Sequence, residues 1–505
     1  MVFKANRNQI HAESFGSETM YELALLDPVG EGTMKKKNLA IIGGGAAGVV
    51  AAWRLRNTHN VTLFEANNYI GGHVYTQRVD IGKGGSVPID MGVEYFNERI
   101  SPNVFNILQK LGIGSYVAPS SFHAYFPSKK QYWSNVTLEG PLRQAIQEEC
   151  SRFQLGMSEV MSSGDPRYKA MTIEEYLSEK GYSETFIYQA LYPMMSISTG
   201  CNVDLRTYPL MFFAISFNAN LVSFFSPGYW RKVRGGMQRY LQVLAETLGE
   251  HIKLDTAVKS VKPCRGKVRV CYGDREVSFD AVIFATSAEV TLSLLAEPTH
   301  RQQEILSSFE YHDITSVAHH DTDYLNTDTP SHYFNFRQFT GTQAHHTHLF
   351  GSVTRVNNAL MAYQNITKPL LVTLDPTQPI HDEKVVKTCH WRAAKQRPAD
   401  FMHKMRLREL QGKDNLWFCG VDTSLAGHEG AVVSGMVIAD RLGAPYPYKD
   451  DTLAFIQFRI TKDIMGVKTR HEALKDALSG LMFVLAKKLA LHKTLSYKFV
   501  KDFIM

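Results

Sequence analysis

The chain has 505 residues, of which 44% are hydrophobic, 21% charged and 11% aromatic. That balance excludes a disordered or fibrous protein and allows a large buried core without disulfide or metal staples. Net charge is +6, but Lys449 to Met505 holds eleven Lys/Arg against six Asp/Glu, which leaves only +1 for the first 448 residues, so a nucleic-acid partner is not expected.

Residues 1–33 are mixed and polar, without the charged and apolar regions of a secretory signal, and read as an appended N-terminal segment. Asn38-Leu-Ala-Ile-Ile42 is a short apolar run of the kind that forms a buried parallel strand. Gly43-x-Gly45-x-x-Gly48 follows, then a helical run from Val49 to Arg56, and Asn60 to Glu65 closes a βαβ unit. Gly43 allows the tight turn, Gly45 lets a pyrophosphate approach the backbone, and Gly48 lets helix and strand pack closely. Ala46 and Ala47, between the second and third glycines, are cofactor-binding candidates with them, and the N-terminus of the helix that follows faces the phosphates with its free N–H groups. Glu65, followed by Ala66, is placed to accept hydrogen bonds from ribose hydroxyls. Six residues on, Gly71-Gly72-His73 adds a second loop, of the kind that lies along the diphosphate in FAD enzymes of the glutathione-reductase type. The expected cofactor is therefore FAD, held non-covalently, rather than NAD.

Residues 100–230 carry helical stretches (Ile107–Leu111, Ile173–Leu191) and an aromatic run from Tyr208 to Phe225, which reads either as domain core or as a hydrophobic substrate tunnel. Strands resume at Ile252–Lys253, Lys267–Tyr272 and Glu276–Ala285, the last two as a hairpin around Gly273-Asp274. Residues 311–375 alternate as antiparallel strands do. Leu416 to Gly420 and Glu429 to Ala439 then form a final strand–turn–helix. The fold class is α/β: a Rossmann-type FAD-binding domain (34–113, 231–300 and 396–448) interleaved with an α+β substrate domain (114–230 and 301–395) carrying an antiparallel sheet. A basic, apolar helical tail occupies 449–505. Its Ala477–Ala486 run is too short to span a bilayer, but Leu481–Ala486 with the tail lysines suggests peripheral contact with an anionic membrane; a helix hairpin docked on the body is the rival reading.

Several segments together resemble the flavin-dependent amine oxidase superfamily. They are Glu65-Ala-x4-Gly71-Gly72-His73, Asp90-Met-Gly92-Val-x-Tyr-Phe96-Asn97, Ser101-Pro-Asn103, Tyr229-Trp230-x-x-Val-Arg-Gly235-Gly236, Ala318-His319-His320-Asp321, Val372-Thr-Leu-Asp375-Pro376 and Trp417-Phe-Cys-Gly420-x8-Glu429-Gly430. Within it the chain is most similar to a bacterial branch of FAD-containing amine-oxidase-like proteins, akin to the N-terminal domain of plant cyclopropane fatty acid synthases and to a polyunsaturated fatty acid isomerase. The likeness runs from about Asn38 to Tyr448. It departs from the branch at Ala426-Gly427-His428-Glu429-Gly430, where a following acid is missing.

The resemblance implies a flavin bordered by His73, Gly92, Val93, Glu94, Val258, Gly420, Glu429, Gly430 and Ala431, with hydride transfer to flavin N5. It implies an apolar, fatty-acyl substrate handled by an oxidoreductase or redox-neutral isomerase. The alternatives are an amine or amino-acid oxidase releasing hydrogen peroxide, and a flavin-bearing accessory protein without turnover. His428 and Glu429 read as an acid/base pair or, equally, as a packed imidazole and a helix-capping acid. Tyr95 reads as catalytic or as cavity wall. Trp230, Arg234 and Phe217 are substrate candidates, with an exposed arginine as the rival reading for Arg234. Lys368 stands by rough position for the lysine that serves the flavin N5 in many amine oxidases. The histidine groups His319-His320-Asp321, His345-His346-x-His348 and Cys389-His390 lack metal-ligand spacing, and no metal is expected.

Overall fold

The computed structural model describes residues 36–136, 141–201, 203–325, 332–339, 351–425 and 427–468. One part of the fold is built on a five-stranded parallel sheet in the order Leu416–Phe418, Ala281–Phe284, Asn38–Ile42, Asn60–Phe64, Ile252–Lys253. The central strand is buried on both faces, which is why it reads as an unbroken apolar run. Leu39 and Ile41 join the core under the helices, while Ala40 and Ile42 join a second core on the opposite face, as the two-residue strand period requires.

Helices Ala46–Leu55 and Gly427–Arg441 cover the first face. They cross closely because position 435 is glycine: a Cβ there would lie 2.4 Å from the Ala47 carbonyl oxygen. The other face is covered by an antiparallel sheet of Val258–Cys264, Lys267–Tyr272 and Arg275–Phe279. The hairpin at Gly273-Asp274 forms as expected, with Tyr272 opposite Arg275. The run 276–285 is not one strand, however. At Asp280 the backbone N–H bonds to the Asn38 carbonyl and the carboxylate accepts from Asn38 N–H (2.7 Å), so residues 281–284 leave the hairpin for the parallel sheet.

The other part holds a seven-stranded sheet in the order Val385–Ala394, Tyr311–His319, Leu371–Leu374, Gly351–Val356, Phe334–Gln338, Phe122–Phe126, Gln131–Ser134. It is antiparallel except where Phe334–Gln338 runs parallel to Phe122–Phe126, an exception that local alternation cannot signal. A helical layer led by Pro141–Ser163 and Leu210–Asn218 packs with this sheet around Phe153, Phe186, Phe213 and Trp133. The expected helix Ile173–Leu191 is divided: Ile173–Glu179 ends before Gly181 (φ +63°), and Ser183 caps a new start by accepting from Phe186 N–H. Among the described residues, no helix is long and apolar enough to cross a membrane.

Candidate functional site

The sequence-predicted phosphate loop has the geometry of a ligand cradle. Gly43 has φ +108° and a Cβ there would meet the Ala285 carbonyl oxygen at 2.7 Å; at Gly48 a Cβ would lie 1.9 Å from the Gly43 oxygen. At Gly45, by contrast, a Cβ would find nothing within 4 Å. The helix starting at Ala46 has no side-chain cap, so its first-turn N–H groups and its dipole face open space, the arrangement that holds phosphate. The second glycine loop lies alongside: Gly71 N–H donates to the Gly44 carbonyl (2.9 Å), and Gly45 and Gly71 form a β-bridge. Glu65 is buried at the end of the second strand. One carboxylate oxygen accepts from Gly44 N–H (2.6 Å) and the other from Asn67 N–H (2.8 Å), which leaves lone pairs for a ribose hydroxyl. Ala66 is exposed beside it. Thr256 N–H bonds to the Glu65 carbonyl, bringing Val258 near the same end of the sheet, although its side chain belongs to the core.

From the second loop the cradle passes to the Gly92 segment. Val93 N–H donates to the His73 carbonyl (3.0 Å), and a Cβ at Gly92 would overlap that same oxygen. The His73 ring is exposed and lies 5.3 Å from the Trp391 ring. On the terminal side, Gly420 (φ +124°) also opens onto space free of protein atoms within 4 Å of a Cβ, and its N–H donates to Ser434 Oγ. Gly430 is required by its own turn, since a Cβ there would lie 1.9 Å from the Leu425 oxygen. Ala431, just beyond, is partly exposed.

His428 and Glu429 do not converge. His428 Nε2 bonds the Tyr240 hydroxyl at 2.7 Å, and burial pushes the imidazole down to about 4, so it is neutral. Glu429 turns away toward helix Pro102–Lys110, where it accepts from Asn103 N–H (2.8 Å), Asn103 Nδ2 (2.8 Å) and Val104 N–H (3.0 Å). It caps a neighbouring helix rather than handling protons beside its imidazole neighbour. Burial nevertheless pushes this carboxyl up to about 7, against the pull of those three donors.

The strongest electrostatic feature escaped the sequence reading. Glu94, expected at the flavin border, is buried between the Lys232 ammonium and the Arg355 guanidinium and accepts from the Tyr333 hydroxyl at 2.5 Å. Asp90 lies 3.8 Å from Lys232 and accepts from Thr76 Oγ1 and Met237 N–H. No local pattern marks Lys232 or Arg355, because their partners Asp90 and Glu94 lie more than a hundred residues away in the chain. Tyr95 is a wall rather than a free acid or base: its ring contacts Trp230, Tyr333 and Phe334, the Lys232 ammonium lies over it at 5.4 Å, and burial pushes its phenol well above the usual range. Trp230 is buried and donates to the Leu221 carbonyl. Phe217 packs against Phe153 and Phe224 at 5.3 and 5.1 Å, which favours core over tunnel for the aromatic run.

Arg234 is exposed over the Tyr116 ring, the solvent reading of that residue. Lys368 is also exposed, with its ammonium on the Asp80 carbonyl; position in the chain misled because the loop turns this side chain outward. A residue missed entirely is Asp422, which accepts from Ala288 N–H (2.9 Å) and the Tyr311 hydroxyl (2.6 Å) and so ties the Gly420 turn to the start of helix Ala288–Leu294 and to the first residue of strand Tyr311–His319. His319 and His320 do face apart, toward Thr373 and Pro369. Asp321, Asp323 and His381 have ligand-like proximity, but the Lys384 ammonium already holds Asp321 at 3.0 Å. The histidines 345, 346 and 348 lie outside the described residues, as do the appended segment 1–33 and the Leu481–Ala486 run. Within the tail, helix Thr452–Met465 stacks Phe458 on Tyr446 (4.0 Å) and leaves Leu453, Ile456 and Ile460 exposed.

The residues present fit a flavin dinucleotide: glycines stand at 43, 48, 92 and 430, where a Cβ would collide with a backbone oxygen, and the protein leaves open space before Gly45 and Gly420. The model of a family described as flavin containing amine oxidoreductase matches residues 46–320. Beta-cyclopiazonate dehydrogenase of Aspergillus oryzae is 24% identical over 324 residues, spanning 62% of this chain and 68% of that protein. L-amino-acid oxidase of Mus musculus is 23% identical over 476 residues, spanning 82% and 72%. Among solved structures, a CLA-producing fatty acid isomerase from P. acnes superposes with a TM-score of 0.60 at 14% identity, covering 82% of this chain and 100% of that one. Putrescine oxidase bound to putrescine superposes at 0.59 and 15%, covering 81% and 99%. These superpositions speak for the fold.

Proposed function

Because the chain belongs to the flavin containing amine oxidoreductase family, and so is an FAD-dependent oxidoreductase, we propose that its substrate is an apolar, acyl-type molecule oxidised or isomerised at carbon. The observation that carries this reading is the state of the carboxylates beside the Gly92 loop. Asp90 faces Lys232, Glu94 faces Lys232 and Arg355, and Glu98 faces Arg231. Each is already met by a cation of this chain, so none is free to hold a substrate ammonium. The Tyr95 face, which would attract a substrate cation, is taken by Lys232. An uncharged carbon chain needs neither group.

When bound, FAD supplies the two-electron acceptor that such chemistry requires. The chain's part is to hold and to exclude. The helix N-terminus at Ala46 and the Gly71-Gly72 loop would hold the diphosphate, and Glu65 the ribose. Attachment is proposed to be non-covalent: Cys419, just before Gly420, is buried and its thiol is pushed up to about 12, so it is not poised as a nucleophile. Tyr95, Trp230 and Tyr333 would wall the reacting carbon from water, with the ion-paired Glu94 behind them holding Tyr333 in place.

The test is anaerobic bleaching of the yellow, FAD-loaded protein by unsaturated fatty acids and by a panel of amines, side by side. Bleaching, or double-bond movement, with fatty acids alone is expected. Bleaching by amines alone, with peroxide formed on admitting air, would select the amine oxidase reading instead.

A further inference from the structure

Arg143 stands near the start of helix Pro141–Ser163 with 1% of its surface exposed. Its Nη1 donates to the Phe224 carbonyl at 2.8 Å. Nε and Nη2 are buried and have no hydrogen-bond partner among the described residues. Those two N–H groups share one edge of the guanidinium and point the same way, forming the fork that grips both oxygens of a carboxylate. No carboxylate of the described residues pairs with it. Glu149 is engaged with Ser183 N–H (2.8 Å), and the ionisable neighbour Cys150 has a thiol pushed up to about 12 by burial, hence neutral. A guanidinium stays protonated even when buried, so this is a cation withdrawn from water with the donors of two of its three nitrogens idle, among the most costly arrangements a fold can keep.

The surroundings suit an apolar ligand with an acidic head. Phe224, which accepts the one hydrogen bond, lies in ring contact with Phe186 and Phe217 at 5.8 and 5.1 Å. The Phe225 ring lies over the guanidinium at 4.8 Å and is 36% exposed, so it sits between Arg143 and solvent. The geometry points to Arg143 as a carboxylate anchor: its Nε–Nη2 edge grips the head group of an apolar carboxylic acid, which enters as Phe225 swings aside. The identity of the carbon chain rests on the acyl reading above; the carboxylate does not.

The experiment measures thermal shift and direct binding of laurate, methyl laurate, dodecylamine, acetate and inorganic phosphate to the FAD-loaded full chain. The wild type is expected to bind laurate and to discriminate against the ester and the amine. Arg143→Met should weaken laurate by about 10- to 100-fold, as expected for losing a charge-assisted bidentate pair, without lowering the ligand-free melting temperature, since an uncompensated charge is removed. Arg143→Lys should retain part of the affinity, and Phe225→Ala should bind laurate faster.

Equal binding of laurate and its methyl ester by the wild type overturns the anchor whatever the variants do. A melting temperature that drops in Arg143→Met with laurate binding unchanged also overturns it, because the guanidinium is then structural. Acetate or phosphate binding as tightly as laurate shows a bare anion site and overturns the apolar part. Laurate bound through Arg143 with no flavin bleaching leaves the anchor standing and sinks the acyl chemistry; bleaching that Arg143→Met leaves unchanged does the reverse.

Discussion

Glu429→Gln separates a helix tie from an acid/base residue. In the wild type, burial raises this carboxyl to about 7, from an ordinary value of 4.5. Within that window the folded protein holds a proton that the unfolded chain releases. The group's contribution is thus fully present below pH 4.5 and lost as pH rises through 7, a fall of about 3 kcal/mol in all. Glutamine cannot ionise, so this slope disappears. Its amide oxygen can still accept from Asn103, but its amide nitrogen then meets the Val104 N–H, donor against donor, an offset of about 1–3 kcal/mol at every pH. Urea unfolding of both proteins at steps from pH 5 to pH 8 should show the variant less stable at the acid end, with the two midpoints converging or crossing toward pH 8. Turnover per bound flavin should hold. A stability difference constant across the window would refute the assigned protonation, and loss of turnover with normal flavin content would return Glu429 to the reaction.

Gly45→Ala should leave the apoprotein's melting temperature nearly unchanged while weakening FAD retention, because the added methyl points into open space, whereas Gly48→Ala, whose Cβ would overlap the Gly43 oxygen, should fail to accumulate as folded protein; flavin absorbance per chain and solubility read the pair. Arg355→Met should cost about 3–5 kcal/mol in urea unfolding by leaving Glu94 buried with a counter-charge removed, and the double change with Glu94→Gln should recover part of it. Lys368→Met should leave kcat and KM unchanged, since the side chain is exposed on the Asp80 carbonyl; a large fall in kcat would return it to the flavin.

What could be read directly from the chain was whatever depends on neighbours in sequence. The run Asn38–Ile42, the spacing of Gly43, Gly45 and Gly48, the acid at Glu65 and the Gly71-Gly72 pair specify a strand, a turn and a helix N-terminus through backbone geometry alone. Glycine is needed where a Cβ would strike a carbonyl oxygen only ångströms away, and that requirement is written locally. Local pattern went astray where a partner from elsewhere competed. Asp280 ended a strand because Asn38 claimed it; the helix break at Gly181 and Ser183, by contrast, was written locally and periodicity alone passed over it. His428 and Glu429 are adjacent in the chain, yet helix geometry sends them to Tyr240 and to Asn103.

The sequence by itself thus determined the dinucleotide cradle and, through it, the class of enzyme. Only the tertiary structure decided which charges are spent and which are idle. Glu94 is neutralised by Lys232 and Arg355 across separations of 138 and 261 residues, while Arg143 lies against Phe224 and Phe225 and pairs with no carboxylate among the described residues. The uneven charge noted at the outset matters less than this distribution inside the fold, because in a medium of low dielectric an unpaired charge matters far more than it does in water. Pairing of that kind is a property of chain crossings, to which no spacing in the sequence corresponds.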